Sequence, residues 1–159
     1  MASVVAELLQ RKLEDGSSSR SLTADDVLVV CPYNAHVRAV EAALVERGIR
    51  RVRVGTVDRF QGREAPVVVA SLCAPPSQND EDEDSVASGG RGVAFVLDVR
   101  RLNVALSRAQ CLAVLVAAPD LADGAASSLD RMRELAVLSR LRELAVDTVV
   151  AEESMALEP

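Results

Sequence analysis

Apolar residues in this chain change their spacing several times, and the changes divide it into elements. Val4, Val5, Leu8, Leu9 and Leu13 recur at helical spacing over residues 2–13. That predicts an amphipathic helix, with Asp15-Gly16 and the following SSSRS as its stop and a flexible loop. Val27 to Cys31, VLVVC, is a short apolar run of strong strand propensity. Cys31-Pro32-Tyr33-Asn34 breaks it, and Asn34 is placed to cap a helix running through about Arg47. Val37, Val40, Ala43 and Leu44 form the inner face of that helix and Gly48 its stop. Arg51 to Val54 predicts a second strand. The stretch Val54 to Leu72, VGTVDRFQGREAPVVVASL, then reads as a strand end, a polar turn and a third strand buried on both faces.

Beyond it the pattern is interrupted. Residues 74–92 carry Pro-Pro, an acidic run and Gly-Gly, which predicts an exposed, mobile insert. A regulatory or nucleic-acid-mimicking loop is the sharper alternative to a merely solvated one. Phe95 to Leu97 returns the chain to the core, Val99 to Gln110 is expected to be helical, and Leu112 to Ala117 to be a fourth buried strand. Pro119 and Gly124 close that strand. Leu129, Met132, Leu135, Leu138, Leu141 and Leu144 stripe a last helix, followed by an acidic tail. The recurring strand–helix–strand order implies right-handed crossovers and a mostly parallel sheet, hence an α/β fold.

Composition sharpens this picture in three ways. The chain has 159 residues, enough for one domain with a real core. With 49% hydrophobic but only 2% aromatic residues, that core is built of Val, Leu and Ala, and a row of base-stacking aromatics is excluded. The net charge of −6 argues against nucleic-acid binding only until its distribution is considered. Five acids lie together at Asp80, Glu81, Asp82, Glu83 and Asp84, leaving the remainder at −1, with arginines grouped at Arg50, Arg51, Arg53, Arg59 and Arg63 and again at Arg100, Arg101 and Arg108. Cys31, Cys73 and Cys111 sit in or beside apolar runs without a CxxC or Cys/His cluster. They are expected to be buried thiols in a reducing, cytoplasmic setting, and no metal ligands are assigned. No apolar segment approaches the roughly 18 residues of a membrane span, so no membrane partner is expected.

Three constellations carry candidate chemistry. Thr56, Asp58, Gln61, Gly62 and Glu64 place a hydroxyl, two carboxylates, an amide and a glycine in one turn. They could bind a sugar or phosphate, with Gly62 letting backbone approach, or they could be turn-formers, Asp58 capping a short helix and Gly62 ending it. Arg100-Arg101-Leu102-Asn103-Val104-Ala105-Leu106-Ser107-Arg108 puts Arg101 and Arg108 seven apart, on one helix face. Polyphosphate binding and a solvated surface are the two readings. Tyr33 could stack on a base or simply pack. The lone histidine, His36, reads as a helix-surface residue, because no Ser or Cys nucleophile is arranged around it in sequence.

Taken together and in order, VVCPYNAHVRAV, VGTVDRFQGREAPVVVAS and RRLNVALSRAQCLAVLV resemble motifs IV, V with Va, and VI of superfamily 1B helicases. That branch contains the nonsense-mediated-decay RNA helicase and the Okazaki-fragment nuclease-helicase. The closer resemblance is to the C-terminal end of bacterial proteins that join a RecB-like nuclease to such a helicase, and it covers nearly the whole chain to about Val146. It implies a three-layer, RecA-like lobe of P-loop-NTPase type, the second lobe of an ATP-dependent motor. Residues 1–20 would be a helix and linker packed on it, 21–150 the lobe itself, and 151–159 an acidic tail.

The same resemblance implies that Arg108 reaches the γ-phosphate of ATP, that Glu64 binds near the ribose with Gly62 close to the nucleotide, and that Tyr33, assigned to the cofactor, sits at the cleft or on the strand path. Thr56, Asp58, Asn34 and Arg101 would meet single-stranded nucleic acid, DNA being expected, with movement 5′ to 3′. ATP and Mg²⁺ are the implied cofactors, the metal held mainly by a first lobe; that lobe and a RecB-like nuclease domain are the implied partners, and DNA repair the implied setting. Two positions depart from the family pattern: His36 stands where Gln is frequent, and Gln110 where a basic residue is. No GxxxxGK[ST] occurs anywhere in the chain, so the phosphate-cradling loop is missing and the chain by itself is expected not to hydrolyse ATP. The alternative is a non-catalytic nucleic-acid or protein-binding module on the same fold. A Rossmann-type transferase is disfavoured, because no GxGxxG opens a helix.

Overall fold

The computed structural model describes residues 1–16, 18–60, 62–73, 93–96, 98–118, 121 and 129–146. Gln61, the insert 74–92 with its acidic run, Leu97, Pro119, Gly124 and the tail 151–159 lie outside the described residues. The chain divides into two compact units, Met1–Ala118 and Pro119–Pro159.

The first unit is built on four parallel strands. They are β3 (Val27–Cys31), β4 (Arg53–Thr56), β5 (Ala65–Leu72) and β6 (Ala109–Ala117), in the order β4-β3-β5-β6. This is the expected α/β architecture with a parallel sheet, consistent with a RecA-like lobe. Alternate residues of β3 and β5 serve opposite faces, which is why both strands are apolar throughout. Val27, Val29, Cys31, Val67 and Val69 meet α1 (Ala2–Leu8) and α2 (Asn34–Glu46), while Leu28, Val30, Val68 and Ala70 meet Phe60 and the helix α4 (Val99–Leu106), which follows the short helix α3 (Val93–Val96). The sheet is thus covered on both sides.

Several local expectations are corrected. The first helix stops at Leu8 rather than Leu13, and Lys12–Asp15 (β1) pairs antiparallel with Ser18–Ser21 (β2) where a flexible loop was expected. Asp15-Gly16 acts as a hairpin signal, Gly16 adopting φ +57°. Arg20 of the hairpin makes two charge-assisted bonds to Asp26, at 2.6 and 2.7 Å. Those bonds, with further ones from Thr23, hold the Asp26 carboxyl well below the usual carboxylate range. Asn34 is the first residue of α2 rather than its cap, and Tyr33 holds the cap position without a side-chain bond. Gly48, at φ +69°, ends α2 as expected: its N–H donates to Val45 O and that of Ile49 to Leu44 O, a Schellman arrangement.

The fourth strand begins at Ala109, so the helix before it ends at Leu106 rather than Gln110. β6 was expected to be buried, but as an edge strand it leaves Leu112 45% exposed and Cys111 at the surface. The thiols consequently differ. Cys31 is buried, and burial pushes it up to about 12, whereas Cys73 is half-buried and Cys111 exposed. In the second unit, α5 (Leu129–Leu144) carries the striped leucines; Leu138 is buried, Leu135 and Leu141 are half-buried, and Leu129, Met132 and Leu144 are exposed.

Candidate functional site

Because the strands are parallel, each crossover must carry the chain from the carboxyl end of one strand to the amino end of the next, and this separates the candidate residues into two groups. The segment from Thr56 to Ala65 leaves the carboxyl end of β4 and arrives at the amino end of β5. Helix α4 makes the same journey between β5 and β6. Each segment therefore has a foot at both ends of the sheet.

At the amino ends, Ala65 and Ala109 are register partners and the N–H of Ala65 donates to Arg108 O at 3.1 Å. This backbone bond brings Glu64 and Arg108 side by side. Gln110 Nε2 donates to Glu64 Oε2 at 3.4 Å. The Arg108 guanidinium is half-buried, its Nε donating to Val104 O at 3.3 Å and its Nη2 to Ser107 Oγ at 3.4 Å. Gly62 holds φ +78° with no atom within 4 Å of where a Cβ would project. It ends the 3-10 turn Val57–Phe60, as one of the two readings of this segment held, and it also leaves open space at the backbone. Glu64 and Gly62 are exposed. An acceptor carboxylate, an arginine fork and an open backbone on one edge suit a sugar-phosphate group, and they form one wall of a site rather than an enclosed cavity.

At the carboxyl ends, Thr56 is half-buried beside Cys31 in the ladder, and Asp58 follows on the 3-10 turn, largely exposed. Asp58 Oδ2 lies 3.8 Å from Arg101 Nη1, and the Arg101 guanidinium carbon stands 4.0 Å from the centroid of the Phe95 ring. Asp58 is within the turn, not its cap. Asp98 caps α4, accepting from Arg100 N at 2.8 Å. Val57, Asp58, Asp98, Arg100, Arg101 and Val104 line an open cleft of about 290 Å³.

Tyr33 and Asn34 also belong to this end, so the structure does not bring Tyr33 together with Glu64 and Arg108. The Tyr33 hydroxyl donates to Cys73 O at 2.8 Å, and Asn34 is exposed. His36 is not a plain surface residue. It is half-buried, with Nε2 3.4 Å from Ser71 Oγ, its ring centroid 5.7 Å from that of Tyr33, and Nδ1 buried without a partner. Burial, and then the positive amino terminus, lower its pKa. Folding therefore sets a hydroxyl beside His36 that sequence distance concealed, but Ser71 is only 4% exposed and cannot meet a substrate.

A family model described as an AAA domain matches residues 1–120, ending two residues past the first compact unit. The chain belongs to the AAA domain family. Several of its relatives carry helicase names. It is 38% identical over 107 residues to the DNA polymerase alpha-associated DNA helicase A of Schizosaccharomyces pombe, covering 67% of this chain and 14% of that protein. It is 32% identical over 113 residues to the DNA replication ATP-dependent helicase/nuclease DNA2 of Mus musculus, covering 71% and 9%. With the human RNA helicase Mov10l1 the identity is 27% over 103 residues, covering 65% and 8%. The AAA domain described here is of superfamily 1 helicase type, and it spans a small part of each of these relatives.

Three features of this AAA domain emerge only from the fold. Gln110, which departs from the basic residue of the family pattern, is the side chain that touches Glu64. Phe95, in the apolar return to the core, supports Arg101. Gly55 is where the polar turn folds back: a Cβ there would lie 2.8 Å from the Phe60 ring and 2.9 Å from Arg59 Cδ. For Phe95 and Arg101, the signal available was one aromatic six residues before a cation, which is too common to single out. Among the described residues no group of His, Cys, Asp and Glu is arranged to hold a metal ion, and no helix is long and apolar enough to cross a membrane.

Proposed function

We propose that this domain is the C-terminal motor lobe of an ATP-dependent superfamily 1 DNA helicase or nuclease-helicase. In this reading Arg108 is the arginine finger, Glu64 and Gly62 hold the ribose side of the nucleotide, and Thr56, Asp58, Asn34 and Arg101 form the face toward a single strand. The observation that carries it is the pinning of Glu64 and Arg108 together by the Ala65–Arg108 backbone bond, at the opposite end of the sheet from Asp58 and Arg101. ATP, with Mg²⁺, would supply the phosphoanhydride bond whose hydrolysis, with transfer of the γ-phosphoryl group to water, drives the cycle. For its part, Arg108 would exchange two long contacts, at 3.3 and 3.4 Å, for charge-assisted ones to phosphate. Tyr33 keeps a place in this scheme at the strand end of the lobe rather than at the nucleotide.

The partners are a first RecA-like lobe carrying the phosphate-binding loop and, by likeness to bacterial nuclease-helicase fusions, a RecB-like nuclease domain. The setting is DNA repair in the cytoplasm. Residues 21–150 would form the lobe, with 1–20 packed on it. A second reading is a non-catalytic nucleic-acid or protein-binding module on the same fold.

The test is ATPase activity of this chain joined to a first lobe. Activity is expected to appear only with both, and Arg108→Ala is expected to lower kcat by roughly 10³ or more. Hydrolysis undiminished by Arg108→Ala would remove the arginine-finger role, and nucleotide affinity unchanged by Glu64→Ala would remove the ribose role. No ATPase in the joined protein, with strand binding intact, would favour the binding module.

A further inference from the structure

We propose that Asp58 gates the strand face by occupying, as an internal anion, the place on Arg101 that a backbone phosphate takes; this rests on the strand-face assignment above. The cleft of about 290 Å³ holds two arginines and two carboxylates. The carboxylates are not equivalent. Asp98 is committed to the end of α4 by its 2.8 Å bond from Arg100 N. Asp58 contacts Arg101 at 3.8 Å, a charge contact beyond hydrogen-bond distance, and its side chain is 79% exposed.

Arg101 is prepared for an anion in a way Asp58 does not exploit. Its guanidinium lies over the Phe95 ring, and its side chain is only 31% exposed. The stem is therefore ordered before any ligand arrives, while the planar fork keeps a face on the cleft. A phosphodiester can accept two parallel N–H bonds from such a fork, which a carboxylate at 3.8 Å does not do. Because exposed ion pairs contribute little, Asp58 is displaced into solvent at small cost, and Val57 and Val104 supply the apolar walls of the cleft. The ligand class is a phosphate monoanion, drawn either from a single strand or from free phosphate.

The test uses the full chain, a labelled dT oligonucleotide read by fluorescence anisotropy, and inorganic phosphate read on the Arg101 side-chain Nε resonance. Asp58→Asn is expected to tighten the oligonucleotide by about two- to fivefold. Arg101→Gln is expected to weaken it, and in the Arg101→Gln background the effect of Asp58→Asn should vanish. Equal tightening by Asp58→Asn with and without Arg101 would overturn the gate in favour of a general charge effect, and weakening would overturn it outright. If the oligonucleotide does not bind but phosphate moves the Arg101 resonance more strongly in Asp58→Asn, the gate stands and the nucleic-acid assignment falls. If neither probe responds to Asp58→Asn, the gate is wrong.

Discussion

His36 shows how a single side chain acquires its chemistry from folding. Its ring is half-buried against Tyr33, Nε2 meets Ser71 Oγ, and Nδ1 has no partner. A charged imidazole is disfavoured there, so the folded pKa lies below the ordinary value of 6.5. Between the two values the unfolded chain binds more protons than the folded one. Stability is therefore full above about pH 6.5 and declines as pH falls through the window below it. Comparing urea midpoints at pH 7.5 and 5.5, the wild type is expected to lose more stability than His36→Gln. Parallel losses in the two proteins would show that His36 does not carry the effect. This environment was not legible in the sequence, because Ser71 and His36 are 35 residues apart and meet only through the β3–β5 pairing. Arg108 and Glu64 were legible as chemistry, but their adjacency depends on Ala65 pairing with Ala109, and periodicity does not report register.

At the scale of elements, apolar patterning was informative wherever burial decided the structure. The strands β3 and β5 and the helix α2 fall close to where their hydrophobic runs place them. Failures cluster where other forces won. The β1–β2 hairpin is held by turn chemistry and the Arg20–Asp26 pair, with Leu13 its one apolar contact to the core and all of β2 exposed. At β6, an apolar run ends up on an edge, and composition cannot tell an edge strand from a central one.

The link between β4 and β5 shows the same logic in a positive case. Phe60 is buried against Leu28, Val30 and Val68, and Gly55 is what allows the turn to fold back on it. A methyl group at Gly55 would meet the Phe60 ring at 2.8 Å and Arg59 Cδ at 2.9 Å. The arginine stem can yield, but the ring is in the core. Gly55→Ala is expected to destabilise the domain by about 1–3 kcal/mol, as overpacking does. Arg59→Ala in the same background should restore little of it. Substantial rescue by Arg59→Ala would mean that the arginine, not Phe60, sets the constraint.

For the whole molecule, the proposed strand face has to be reconciled with an acidic chain. The net charge of −6 is an average that includes the run Asp80–Asp84, whereas binding to a strand depends on the cations that meet phosphates. Among the described residues, the cations that line the cleft at the carboxyl end of the sheet are Arg100 and Arg101, and one lysine, Lys12, is present in the entire sequence. A single strand held by two arginines releases few counterions. The slope of log Kobs against log salt concentration is therefore expected to be shallow, on the order of −1.4 at about −0.7 per phosphate contact. Arg101→Gln should reduce its magnitude by about 0.7, while Arg108→Ala, at the other end of the sheet, should leave it unchanged. A slope several times steeper, or one that responds to Arg108 as strongly as to Arg101, would mean that the strand lies across the amino ends of β5 and β6, and the division of the lobe into a strand end and a nucleotide end would have to be given up.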